Sequence, residues 1–136
     1  MKTSQGRCLC GAVTITVPES CTHDVYVCHC GMCQKWGGGP LMAIESQHDV
    51  VIEGKEHIGF YRSSDWAERA FCRTCGTHLF YRLFEPEIYS LSAGLFSDGQ
   101  KRLVSQIYID NKPDYYDFAQ QTPMMTEQDV IDLHKA

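Results

Sequence analysis

The chain has 136 residues, 43% of them hydrophobic and 21% charged, and a formal net charge of −5. These figures fit one compact globular unit and exclude a disordered or fibrous protein. No lysine or arginine run stands out, which argues against a nucleic-acid partner and an anionic membrane surface. No apolar run reaches the roughly 18 residues of a membrane span, and Met1–Cys10 lacks the apolar core of a secretory signal, so a cytoplasmic protein is expected.

Short strands dominate the local pattern. Ala12–Val17, AVTITV, alternates β-branched residues and is closed by Pro18. His23–Cys28 leads into the stretch CHCGMC, and a glycine run, Gly37, Gly38 and Gly39, precedes the strand Pro40–Glu45. Asp49–Gly54, His57–Arg62, Arg69–Cys72, Thr77–Arg82, Glu87–Ser92 and Ser105–Asp110 follow at short intervals, separated by Gly, Pro, Asp or Ser. One helix is expected at Thr126–Ala136, where Thr126 caps, Asp129 suits the first turn and Val130 and Leu133 offer a small apolar face. The reading is a mainly β domain, a sandwich or folded sheet, with a short C-terminal helix and no internal domain boundary.

Eight cysteines, at positions 8, 10, 21, 28, 30, 33, 72 and 75, are many for a reducing compartment, where structural disulfides are disfavoured. Metal ligation is the better account, because seven of the eight lie in tight groups and cysteines one residue apart pair poorly with each other. A secreted chain could instead form disulfides. In CRTCG, two intervening residues make a turn around an ion, and Gly76 can take the positive φ that such a turn needs; Gly11 follows Cys10 in the same way. Cys8, Cys10, Cys72 and Cys75 would make one closed four-thiolate zinc site, a structural staple. Cys28, Cys30 and Cys33 would then be three ligands with one open position, the catalytic type. Cys21, His29 or a partner chain could close it instead, although His29 is expected to face away from its neighbours. Spacing alone does not fix which groups share an ion.

The order C-x-C-G, C-H-C-x-x-C, C-x-x-C-G-T-x-L-F-Y closely resembles the glutathione-dependent formaldehyde-activating enzyme family, which includes the centromere protein V relatives. The resemblance runs from Gly6 to about Tyr81 and more loosely through IYIDNKPDYYDF. It implies a zinc-binding β fold of the Mss4-like type and two zinc ions, one structural on Cys8, Cys10, Cys72 and Cys75 and one catalytic on Cys28, Cys30 and Cys33. It implies a carbon-sulfur lyase that joins glutathione, or another thiol, to formaldehyde, giving S-hydroxymethylglutathione. Many relatives carry a basic residue after the third cysteine, where this chain has Gln34. Cys21 has no counterpart in the motif.

Around the triplet, Lys35, Trp36 and Gly38 are the expected substrate contacts: a cation for a glutathione carboxylate, a pocket wall and a point of close backbone approach. The bland reading of WGGGP is a turn with Trp36 in the core. Arg62, Arg69, Arg73 and Arg82 are further candidate cations, each more often a solvated surface charge. His78 could orient a ligand or move a proton, while a satisfied structural histidine is commoner. Tyr61, Tyr81 and the run Asp114, Tyr115, Tyr116 read mainly as core aromatics. A non-enzymatic zinc module that binds a protein is the competing function, since fold alone does not decide it; iron in place of zinc is a third reading. Exposed edge strands make a homodimer reasonable.

Overall fold

The computed structural model describes residues 2–97 and 99–135. Its elements in chain order are β1 (Thr3–Arg7), β2 (Thr14–Pro18), β3 (Asp24–Cys28), α1 (Gly31–Gly37), β4 (Leu41–Ser46), β5 (Val51–Glu53), β6 (Ile58–Arg62), β7 (Ala67–Cys72), β8 (His78–Leu83), β9 (Ile88–Ser92), β10 (Arg102–Ile107), β11 (Met124–Met125) and α2 (Glu127–Lys135). The expected mainly β architecture with a short C-terminal helix is what forms, except that Ala136 lies outside the described residues. Strands β1, β2 and β5 make a small sheet, and β11-β10-β3-β4-β9-β8-β7-β6 make a large one. Pairing is antiparallel, save that β10 runs parallel to β3 and β11.

Alternation along the strands decides what the sheets bury. Ile15 and Val17 of β2, with Val13 just before it, meet Ile44, Leu79, Phe80 and Leu91 of the large sheet in one cluster, and each is at most 1% exposed. Phe96 joins them from the loop after β9. The approach of β1 to this loop is close, because a Cβ on Gly6 would lie 2.9 Å from Leu95 Cβ. Gly54, at φ 87°, turns the chain after β5 where a Cβ would fall 2.0 Å from the Ala12 carbonyl oxygen, so only glycine fits.

Three elements differ from the sequence expectation. Strand β1, TSQGR, buries only Ser4 and Gly6 in its alternation, so it has no apolar signal to read. The two-residue β11 is likewise too short to show a period. Helix α1 replaces the turn expected over the glycine run. It has one buried residue, Cys33, and hence no apolar stripe, but it is well capped: the Cys30 sulfur accepts from Cys33 N–H at 3.3 Å, and Gly38, at φ 79°, closes the other end by donating to the Gln34 carbonyl at 2.8 Å.

On the face of the large sheet that matters below, register lines up specific side chains. Cys28 stands between Leu41 and Ile107 on the neighbouring strands. Glu45, Ser90, Tyr81 and Arg69 stand opposite one another in a lateral row across β4, β9, β8 and β7. Cross-strand partners share a face.

Candidate functional site

The loop after β1 carries Cys8 and Cys10, and the end of β7 with the loop after it carries Cys72 and Cys75; each pair is followed by a glycine at φ 79°, Gly11 and Gly76. Backbone bonds shape both: Gly11 N–H donates to the Cys8 carbonyl at 3.1 Å and Gly76 N–H to the Cys72 carbonyl at 2.8 Å. The result gathers Cys8, Cys10, Cys72 and Cys75 with their sulfurs within 4.8 Å of one another. Cys8 and Cys10 sulfurs are 3.6 Å apart, and Cys10 and Cys72 sulfurs 3.7 Å. A tetrahedron with arms of about 2.3 Å has edges of about 3.8 Å, so the donor set fits zinc. Thr77 supports it: its hydroxyl lies 3.1 Å from Cys75 Sγ and accepts from Leu9 N–H at 3.1 Å, and this hydroxyl contact first, with Thr77 N–H second, holds the Cys75 thiol down to about 5.

The second cluster is built by the end of β3 and the start of α1, which bring the sulfurs of Cys28, Cys30 and Cys33 within 4.8 Å of one another. Three soft donors on one side of a point fit a thiophilic ion and leave its other side open. The thiols of Cys28 and Cys33 donate to Cys30 and hold it down to about 2, with help from Cys33 N–H and the charge of Arg69; Cys28 is pushed up by the same interactions and by burial. No described His, Cys, Asp or Glu joins this group. His29 is fully buried and points away, Nε2 to Gln106 Oε1 at 2.9 Å and Nδ1 to Tyr116 Oη at 2.7 Å. Cys21 donates to the Pro18 carbonyl at 3.1 Å and belongs to neither cluster.

Of the four candidate arginines, Arg62, Arg69, Arg73 and Arg82, Arg69 is the one brought to the triad. It is 4% exposed, and both terminal nitrogens lie 3.6 Å from Cys33 Sγ. Its guanidinium carbon sits 5.1 Å from the ring centres of Trp36 and of Tyr81, a cation held between two aromatic faces. No carboxylate pairs with it among the described residues, so the thiolates are its counter-charge. Arg82 pairs with Glu68 and Glu87, Arg73 donates to the Glu56 carbonyl, and Arg62 donates to the carbonyls of Ser64 and Asp65.

The triad opens onto a cavity of about 540 Å³, a size suited to a small molecule. Leu41, Leu83, Ile88, Ile107, Val130 and Ile131 give it an apolar body, and Glu45, Tyr81, Tyr108 and Arg69 bring polar atoms. Tyr108 holds a left-handed backbone at φ 55°, a strained conformation for a non-glycine residue that turns it into this wall. Burial, then the nearby Cys28 and Cys30 charges, raise its phenol above the ordinary range.

The expected contacts just after the triplet go elsewhere. Lys35 is exposed in the last turn of α1, where a cation favours the helix dipole, Trp36 stacks on His78 with centroids 4.2 Å apart, and Gly38 is the helix cap. None of the three lines the cavity; Trp66 does. Gln34 turns behind the site and donates to Tyr116 Oη from Nε2 at 2.6 Å. Sequence reasoning missed Glu45, Thr77, Trp66 and Tyr108. Only Thr77 had a local signal, its place beside Cys75 and Gly76; the others reach the site through sheet register or a loop.

Fold and site together define a cysteine-rich β protein with one closed and one open thiol cluster. Residues 3–111 match the model of the glutathione-dependent formaldehyde-activating enzyme family, and the chain belongs to that family. It is 37% identical over 135 residues to an uncharacterized lyase of Schizosaccharomyces pombe, covering 93% of both chains. It is also similar to a crystal structure of a Rhodobacter sphaeroides protein, with a TM-score of 0.60 and 28% identity over 71% of this chain and 90% of that one.

Proposed function

We propose that the protein is a zinc-dependent carbon-sulfur lyase that adds a thiol to a small aldehyde, formaldehyde in the family's description, and catalyses the reverse cleavage. The observation that carries this reading is the three-sulfur cluster, which has no fourth protein ligand among the described residues and opens on a cavity. A pure binding module gains nothing from that opening. Family membership and the lyase name of the Schizosaccharomyces pombe relative support the class of reaction. The metal count is two, one ion on Cys8, Cys10, Cys72 and Cys75 and one on Cys28, Cys30 and Cys33.

Bound at the open cluster, zinc would supply a thiophilic Lewis acid that favours the thiolate form of a substrate sulfur. Cys28, Cys30 and Cys33 would hold that ion, and as three thiolates would give the site one excess negative charge. Arg69 offsets the charge through its contacts to Cys33 and so lets another sulfur approach. In the reaction the substrate S–H proton is lost, the sulfur forms a bond to the aldehyde carbon, and the C=O π electrons become an alkoxide that takes up a proton. A hydroxyl on the cavity wall, such as that of Tyr108 or Tyr81, would exchange that proton. The apolar wall keeps bulk water from the adduct. Glutathione is the co-substrate that the family description names, and a cytoplasmic setting, which keeps thiols reduced, suits the chemistry.

The test is line-shape NMR of formaldehyde exchanging with its thiol adduct, with and without the zinc-loaded protein. Faster exchange than the spontaneous reaction, lost in Cys30→Ser, is expected; no acceleration with any thiol overturns the reading.

A further inference from the structure

Three buried polar side-chain atoms have no hydrogen-bond partner among the described residues: Arg69 Nε, Ser63 Oγ and Gln34 Oε1. A buried donor without an acceptor costs free energy, so a fold that keeps one needs a reason, and a ligand still to arrive is such a reason. Two of the three belong to one place. Arg69 and Ser63 both line the cavity onto which the thiol triad opens, and Gln34 does not.

The surroundings of the Arg69 guanidinium define the acceptor it lacks. Its two faces are covered by Trp36 and Tyr81, each ring centre 5.1 Å from Cζ. Its end is taken, since Nη1 and Nη2 both donate to Cys33 Sγ from 3.6 Å. The lateral edge remains, where Nε–H runs parallel to one Nη–H, and Nε is the atom without a partner. Two parallel donors in one plane match the two oxygens of a carboxylate. Ser63 stands two residues beyond Tyr61, the cross-strand partner of Arg69, and brings a third donor, its hydroxyl, to the same wall. The acids of the lining, Glu45 and Glu85, are exposed and keep their water, and His134 adds an exposed base. We propose that the thiol taken by this site carries a carboxylate, received by the lateral edge of Arg69 together with Ser63. Sulfur at the triad and carboxylate at Arg69 would hold the substrate at two points, both beside Cys33. This subsite rests on the thiol-aldehyde reading above and names the group that orients its thiol.

Isothermal titration calorimetry of the zinc-loaded full chain, without aldehyde, tests the subsite with two pairs of thiols. Mercaptopropionic acid is compared with mercaptopropanol, and mercaptohexanoic acid with mercaptohexanol, so that each pair shares one body and differs in its end group. At one length or both, the acid is expected to bind at least about tenfold tighter than its alcohol, the lower end for a hydrogen bond to a charged group. Ser63→Ala should cut that ratio by about threefold or more, and Arg69→Met should bring it close to one. A ratio taken within one variant, with its zinc content confirmed by metal analysis, cancels any change in the metal. Alcohols that bind as tightly as the acids at both lengths overturn the carboxylate subsite and leave thiol chemistry intact. A ratio unchanged in both variants overturns its assignment to Arg69 and Ser63. No binding by any of the four thiols overturns the thiol-aldehyde reading itself.

Discussion

Two buried polar side chains show how much of this site rests on single residues. Arg69 is the positive pole of an anionic cluster, and its planar fork places two nitrogens at equal distance from one sulfur. Arg69→Met should weaken the metal held by Cys28, Cys30 and Cys33 by about 10-fold or more, read by competition with a chromophoric chelator, because groups that bond to ligands tune their affinity. Arg69→Lys should rescue little, since one ammonium cannot span the same geometry. His29 acts by position. A chain of hydrogen bonds runs from Gln34 Nε2 to Tyr116 Oη, on to His29 Nδ1, from His29 Nε2 to Gln106 Oε1, and from Gln106 Nε2 to Thr122 Oγ1. It ties the segment after β10 to the back of the CHC loop, and the tautomer with hydrogen on Nε2 satisfies every link. His29→Leu strands Gln106 Oε1 and leaves the Tyr116 hydroxyl proton without its acceptor, and should cost about 3 kcal/mol in urea unfolding of the zinc-loaded protein. Sequence showed that His29 lies between two ligands and would face away; its partners, 77 and 87 residues distant, were invisible to it.

Among the elements, the two helices make opposite cases. Helix α2 was legible because its start is a reciprocal cap: Thr126 Oγ1 accepts from Asp129 N–H at 3.1 Å and Asp129 Oδ2 accepts from Thr126 N–H at 2.9 Å. Thr126→Ala should lower stability by about 1 kcal/mol and speed amide exchange across α2. Because Val130, Ile131 and His134 of this helix line the cavity, the loosening should also weaken thiol binding. This wall lies beyond the family match, which ends at residue 111, so the chain's own C-terminal segment shapes the pocket. Helix α1 was illegible for a physical reason. Seven residues with glycine at both ends carry no apolar period, and what forms the helix is its caps, one of them the sulfur of a metal-ligand candidate. The glycines of WGGGP close that helix, Gly37 as its last residue and Gly38 as its cap.

For the molecule as a whole, the two clusters should differ in what their loss does. Cys8 and Cys10 follow β1 of the small sheet, while Cys72 ends β7 of the large one and Cys75 follows it, so this ion would fasten the two sheets together. Cys75→Ser should abolish cooperative folding, seen by circular dichroism, whereas Cys30→Ser should keep the fold and lose one of two zinc ions in metal analysis. Equal unfolding of both variants would sink the division of roles. Acid should act in a set order. The Cys75 thiol is held down to about 5 when folded, below the roughly 8.5 of an unfolded cysteine, so its stabilisation is complete above the unfolded value and fades as pH falls toward 5. Thr77→Val should move the midpoint of acid-induced metal release to higher pH, followed with a metal-sensitive dye. By itself the sequence determined the mainly β architecture, the C-terminal helix and three tight groups holding seven of the eight cysteines, because ligand spacing and strand alternation are local properties of the chain, while the fold decided which groups come together. Tertiary structure alone decided which side chains face the open set. Arg69, Glu45, Tyr81 and Tyr108 come from β7, β4, β8 and the loop after β10, and only strand register and chain path bring them to one cavity with the CHCGMC sulfurs.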